Sequence, residues 1–269
     1  MTVRKTSAPI TSDQRGQLRD FVVKAIFKAI KQIGLDRDGF QRLLSRGGEF
    51  LEYVKEGIRR FSAALPDYGV ARAILGDDFI SPEEVAKARG LKYSPKQLRQ
   101  LAESLPRESV LKELKRDGYA LVPRPPKVLS LLEIRDLKTA IFYTPTGGWY
   151  SDPREKFATA DKTVFGWLAI KKTMVAGSTS KTWNEQNPLL PESDRVPNAA
   201  EFAWFLTTYL EVRKNRLFQG LYARTSSVDA DGGHVGLGFD GESLYVRSCW
   251  DGYPYSNLGL ASARLLAKA

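Results

Sequence analysis

All five tryptophans, Trp149, Trp167, Trp183, Trp204 and Trp250, follow the proline-rich stretch VPRPPKVLS that runs from Val122 to Ser130, while the surplus of positive charge precedes it. Residues 1–130 hold 25 Lys and Arg against 16 Asp and Glu, and the remainder hold 16 against 15. Large aromatics demand a deep core and a run of like charge demands solvent, so this partition constrains the fold more than any other feature. It predicts a basic helical domain over 1–125 and an aromatic-rich domain over 126–269, with the prolines as the boundary.

The chain is 42% hydrophobic and 27% charged, values of a globular chain able to bury a core. No window approaches the roughly 18 unbroken apolar residues of a membrane span, and the start MTVRKTSAPITSDQRGQL has charge but no apolar h-region. No membrane insertion and a cytoplasmic location are therefore expected. Cys249 is the only cysteine, which leaves no internal disulfide, cysteine zinc cluster or thiol pair.

In the first part, Leu18, Phe21, Val22, Ala25, Ile26, Ala29 and Ile30 recur at helical spacing up to Gly34, predicting a helix with one face in a core. A second helix is expected through FQRLLSRGGEFLEYVKEGIRRFSAAL, broken or kinked at Gly47 and Gly48. Ser81, Pro82 and Glu84 then form a capping box with proline at the first helical position, Gly90 stops that helix, and Ser94 with Pro95 starts another. Two short helices about a turn over 81–105 suggest a helix-turn-helix whose Lys92, Lys96 and Arg99 can reach nucleic-acid phosphates. The other reading is a small helical bundle with a solvated basic face.

After the prolines the pattern changes. TVFGWLAIKKTMVAG reads as strand and SKTWNEQNPLL as a short helix or loop. In VPNAAEFAWFLTTYLEVRKNRLF, Asn198 and Glu201 have capping-box spacing, and Phe202, Phe205, Leu206, Tyr209 and Leu210 form an apolar stripe. LYARTSS, a turn-rich VDADGGH and the strand-like VGLGF, LYVRSCW and LGLASARLL close the chain. The fold class is thus α+β, a helical N-terminal domain followed by a small antiparallel sheet with packed helices.

RVPNAAEFAWFL followed by VGLGF, LYVRSCW and LGLASARL resembles the C-type lectin fold in its formylglycine-generating-enzyme-like branch, over roughly residues 140–269. Within that branch the closing pattern is most similar to the variable proteins of diversity-generating retroelements. In that family a reverse transcriptase rewrites adenines, mainly in AAY codons, so the resemblance implies a hypervariable ligand-binding protein rather than an enzyme. Codons rewritten to NNY cannot encode Lys, Gln, Glu, Met or Trp. The chain has 19 Lys, 8 Gln and 2 Met, yet residues 220–266 contain none, where the chain average gives about five. The other reading of this gap is that strands disfavour Lys and Gln. Glu242 and Trp250 are the exceptions in the window, read as a turn residue and a core aromatic.

Strand alternation turns Val235, Leu237, Phe239, Leu244, Val246 and Trp250 inward. That leaves His234, Gly236, Tyr245, Arg247 and Cys249 outward, joined by the loop residues Tyr253, Pro254, Tyr255, Ser256 and Asn257, with Ser248 ambiguous between the faces. These eleven are the candidate ligand-binding residues. Tyrosine and arginine carry most binding hot spots because each offers a large contact area with a polar end, and the expected partner is a protein.

No catalytic residue, metal site or cofactor is expected. A formylglycine-generating activity needs a pair of thiols, and Cys249 stands alone. His234 is the only histidine. The calcium-binding lectin motifs are absent, since CWDG is half of one and EQNP does not match the other. Asp229 and Asp231 open like a calcium loop, but position twelve is Asp240 instead of glutamate. The alternative function is a DNA-binding transcriptional regulator that uses the 81–105 segment, with the C-terminal domain as sensor.

Overall fold

The computed structural model describes residues 11–52, 54 and 68–266, and the chain divides into two units, 1–63 and 64–269. Both contain helices, and the second carries two four-stranded sheets, an α+β architecture.

In the first unit, α1 (Ser12–Ile33) starts at a Thr11/Gln14 capping box and stops at Gly34, which takes the left-handed conformation open to glycine. Helix α2 (Arg37–Ser45) is capped by Asp36, and a turn at Arg46 separates it from α3 over 47–52, so the break comes just before the glycine pair. The remainder of the expected second helix lies outside the described residues. The core face expected of α1 is not found: no residue of α1 is buried, and Phe21 is 69% exposed. A unit of this length has too little facing surface to enclose a 22-residue stripe.

The second unit begins with four helices, α4 (Gly69–Leu75), α5 (Pro82–Arg89), α6 (Pro95–Glu103) and α7 (Glu108–Arg116). Capping boxes at Ser81/Glu84 and Ser94/Gln97 start α5 and α6 as the sequence predicts, and Gly90 ends α5 in the left-handed region. Strand β1 (Tyr119–Pro123) then pairs antiparallel along its whole length with β2 (Trp167–Lys171). Beyond β2 this sheet continues through β8 (Ala263–Arg264) to β3 (Asp194–Arg195).

The expected boundary at residue 125 therefore falls inside a unit. All five residues of β1 are buried. Tyr119 and Leu121 pack with Tyr68, Leu75, Leu101, Leu111 and Trp167, while Ala120 and Val122 join the larger core. The prolines that follow are held from both sides. Trp204 Nε1 donates to the Pro123 carbonyl at 3.0 Å, the Tyr93 hydroxyl to that of Arg124 at 2.9 Å, and Gln97 Nε2 to that of Pro126 at 2.7 Å. Because β1 is an edge strand, Pro123 costs no ladder bond, and a proline-rich stretch serves as a strand end instead of a linker.

Helix α8 (Leu131–Leu137) and the short α9 (Phe157–Ala160) and α10 (Trp183–Gln186) lead to α11 (Ala199–Arg213), capped by Asn198 and Glu201. Every residue of α11 from Ala199 to Tyr209 is buried, so it is enclosed all round and not along one stripe. Its polar side is satisfied by Arg89 of α5, whose guanidinium lies 4.4 Å from the Trp204 ring and donates to Thr207 at 2.8 Å.

The second sheet has the order β6 (Ser243–Cys249), β5 (His234–Asp240), β4 (Tyr222–Val228), β7 (Leu258–Leu260). It is mixed, since β7 runs parallel to β4, whereas an antiparallel sheet was expected. The segment LGLASARLL leaves the second sheet after Leu260 and enters the first at Ala263, joining the two sheets. Val235, Leu237, Phe239, Leu244 and Val246 face the core as alternation predicts.

Candidate functional site: an aromatic cleft on the outer face of the second sheet

The other face of the second sheet is built by the same alternation. Register sets Arg224 of β4 beside Gly236 of β5 and Gly236 beside Arg247 of β6, with Gly238 beside Tyr245. The two glycines make room for large neighbours. A Cβ on Gly236 would sit 2.8 Å from Cys249 Sγ and 3.2 Å from Leu258 Cδ1, and one on Gly238 would overlap the Leu221 carbonyl at 1.9 Å. Tyr222, Cys249 and Leu258 cluster here, with Tyr245 against them.

A cleft of about 480 Å³ opens above this cluster, a volume that holds a side chain or small ligand. One wall comes from the turn after α8. Tyr143 N donates to the Leu244 carbonyl at 3.0 Å and Trp149 Nε1 to that of Val246 at 2.9 Å, which fixes the turn along β6. The Tyr143 ring stacks on Tyr245 with centroids 4.1 Å apart. On the floor, the Arg247 guanidinium lies 4.3 Å from the Tyr222 ring and 5.9 Å from that of Tyr245. Tyr255 and Asn257 also line the cleft.

The 250–257 loop is held through its backbone. Arg224, fully buried, donates through Nη2 to the carbonyls of Trp250 at 2.9 Å and Tyr253 at 3.1 Å, and through Nη1 to Lys181 O and Gln186 Oε1. The amides of Trp183, Ser180 and Tyr222 donate to the carbonyls of Asp251, Tyr255 and Asn257 at 2.9, 3.0 and 2.8 Å. The carbonyl of Trp250 and every second one from Asp251 to Asn257 are thereby occupied while Gly252 to Ser256 remain exposed. Burial lowers the pKa of Arg224, with Cys249 and Asp251 opposing the shift, and no carboxylate is paired with it among the described residues.

Six of the eleven candidate residues line the cleft: Tyr245, Arg247, Ser248, Cys249, Tyr255 and Asn257. Tyr253, Pro254 and Ser256 stand exposed on the adjoining loop. Ser248 is exposed and donates to Asp229 Oδ2, which settles its ambiguity as a strand-end anchor of the 229–233 turn.

The outward assignment needs correction at three positions. Gly236 and Cys249 lie on the expected face but are buried, covered by one another and by Leu258 of β7, which extends the sheet over them. The Cys249 thiol is pushed up to about 11 by burial, so it stays protonated. His234 is half-buried, with Nδ1 within 2.9 Å of both Asp251 carboxylate oxygens and its ring stacked on Trp183 at 3.5 Å. It is a scaffold residue that ties the loop to β5.

Trp250 departs from the expectation in the opposite sense, being 62% exposed. Ladder pairing ends at Cys249 with His234, so alternation no longer governs the next side chain. Tyr143, Trp149 and Tyr222 of the cleft were not singled out in the sequence. The signal for the first two was an aromatic pair flanking the turn in FYTPTGGWY. For Tyr222 it was its place two residues before Arg224 in the same strand.

At the second candidate site, Lys92 and Lys96 are exposed and Arg99 is half-buried, with no ion pair on any of them among the described residues. Helices α5 and α6 are not a separate head. Arg89 anchors α5 to α11, and Trp167 Nε1 of β2 donates to the Leu101 carbonyl of α6 at 2.8 Å.

Among the described residues no group of three or more His, Cys, Asp or Glu side chains is placed to hold a metal ion, and no helix is long and apolar enough to cross a membrane. In comparisons with known proteins, no protein-family model, no curated protein and no solved structure matches the chain.

Proposed function

We propose that this chain is a ligand-binding variable protein of the kind diversified by a retroelement, that it is not an enzyme, and that its second unit displays changeable side chains to a protein target. The observation that carries this reading is the backbone anchoring of the 250–257 loop. Its carbonyls at Trp250, Asp251, Tyr253, Tyr255 and Asn257 accept from Arg224, Trp183, Ser180 and Tyr222, so the loop's shape does not depend on its own exposed side chains. A surface whose side chains are replaced in each lineage requires such a scaffold.

The chemistry of the cleft agrees with recognition. Tyr143, Tyr245, Tyr255 and Trp149 offer large, stiff contact area around one arginine, the composition of a binding hot spot. Its one thiol is protonated and buried, so it does not serve as nucleophile, and the histidine, His234, does not line the cleft.

The test is to sequence the DNA flanking the coding region. The expected result is a near-copy of the segment encoding about residues 220–266, differing at adenines, close to a reverse-transcriptase gene. A flanking region containing neither would overturn the retroelement reading.

A further inference from the structure

The cleft also carries information about what it takes. Arg247 is the only charged residue among those that line it: the Cys249 thiol is protonated, and the remaining lining residues are aromatic, aliphatic or neutral polar. Four other arginines of this unit are spent on structure. Arg264 meets Asp194 and Asp117, Arg213 meets Glu84, Arg195 meets Glu201, and Arg224 meets four acceptors of the scaffold. Arg247 has no such partner among the described residues. It is exposed and held by the faces of Tyr222 and Tyr245, an arrangement that fixes the guanidinium plane by stacking and leaves its N–H donors unspent.

Tyr222 serves this arrangement as a platform. It is 3% exposed, its ring carries the Arg247 guanidinium, and burial raises the pKa of its hydroxyl, with Arg247 opposing the shift and Asp240 adding to it by charge and by hydrogen bond. The guanidinium alone is short of an acceptor.

We infer that this cleft binds a carboxylate, with Arg247 as its anchor, and that the protein target presents an aspartate or glutamate side chain there. The inference rests on the reading of this surface as a protein-binding one. A carboxylate fits the fork of an arginine with two parallel hydrogen bonds, and the apolar walls of Tyr143, Tyr245 and Tyr255 accommodate the methylenes of an acidic side chain. One guanidinium balances one negative charge. A phosphate, with close to two charges, would remain under-compensated in a cleft with no second cation.

The experiment follows the Arg247 Nε–Hε resonance of the full-length protein by 15N NMR during titration with doubly capped glutamate, doubly capped glutamine, a neutral peptide with a free C-terminal carboxylate, and inorganic phosphate. Capped glutamate should shift the resonance saturably. The glutamine compound should not, and phosphate and the C-terminal carboxylate should bind more weakly. Because Arg247 is exposed, Arg247→Leu should leave the melting temperature unchanged while weakening capped-glutamate binding by about tenfold or more, read from the Tyr245 amide. Equal shifts with glutamine, tighter binding of phosphate or of the C-terminal carboxylate, or no saturable shift from capped glutamate would each overturn the inference. None of these outcomes touches the flanking-DNA test, and a missing template copy would leave a carboxylate site intact, so the two failures are distinguishable.

Discussion

The Arg224 guanidinium reaches from the middle of β4 to the Tyr253 carbonyl at 3.1 Å, tying the most exposed stretch of the second unit to one of its most buried side chains. A guanidinium that satisfies backbone carbonyls reads no side chain, so the loop can change its sequence while keeping its path. Removing the donors takes one hydrogen bond from each of these part-buried carbonyls and leaves them only the turn bonds from the Tyr253 and Tyr255 amides.

Arg224→Met keeps much of the volume and deletes the donors. It should lower stability by about 3 kcal/mol and speed hydrogen exchange at the amides of Ser180 and Trp183, which donate to the same loop. Unchanged melting and unchanged exchange would mean that the loop holds itself.

Cys249 supplies a pH signature. Its thiol ionises at about 11 in the folded chain against 9.0 for the ordinary group, because burial disfavours the thiolate. Below pH 9 the thiol is protonated in both states and adds no pH dependence. Between about pH 9 and 11 the unfolded chain loses its proton first, so stability falls as pH rises, by about 3 kcal/mol in total. Urea unfolding across this range should show a shallower loss in Cys249→Ala than in the parent, and a native thiol at pH 8 should react slowly with maleimide. Identical pH profiles would place the thiol in contact with water.

The proline-rich stretch gives a third test. Strand pairing with β2 and the donors from Trp204, Tyr93 and Gln97 leave no accessible extended segment there. Limited proteolysis of the folded chain should produce no cut between Val122 and Leu132 and no accumulating fragment that starts near residue 126. A prompt cut there would restore the boundary that the composition suggests.

These outcomes mark what the sequence could convey. Capping boxes at Ser81, Ser94 and Asn198 announced α5, α6 and α11 because a cap is a local device, written within four residues. The faces of β5 and β6 were legible because alternation holds for as long as the ladder lasts. Trp250 was misread where the ladder ends, one residue past Cys249. The domain boundary failed for a non-local reason: YALVP is buried on both faces by elements on either side of it in the chain, with Tyr68 and Leu101 before it and Trp167 well beyond the prolines, and prolines on an edge strand look like prolines in a linker. Cys249 and Gly236 were placed on the correct face, but β7, which covers them, returns as a parallel strand that no local pattern predicts.

The central claim is that the exposed side chains of this surface can change while the scaffold stays, and that changing them changes what is bound. A display library with NNY codons at the exposed Arg247, Tyr253, Tyr255 and Ser256 tests it directly. Most members should melt within a few degrees of the parent, since exposed substitutions cost within about 0.5 kcal/mol each, and selection against unrelated protein targets should return different residues at these positions for different targets. A library whose members largely fail to fold, or whose folded members bind no target above the level of the Arg224→Met scaffold variant, would contradict the claim.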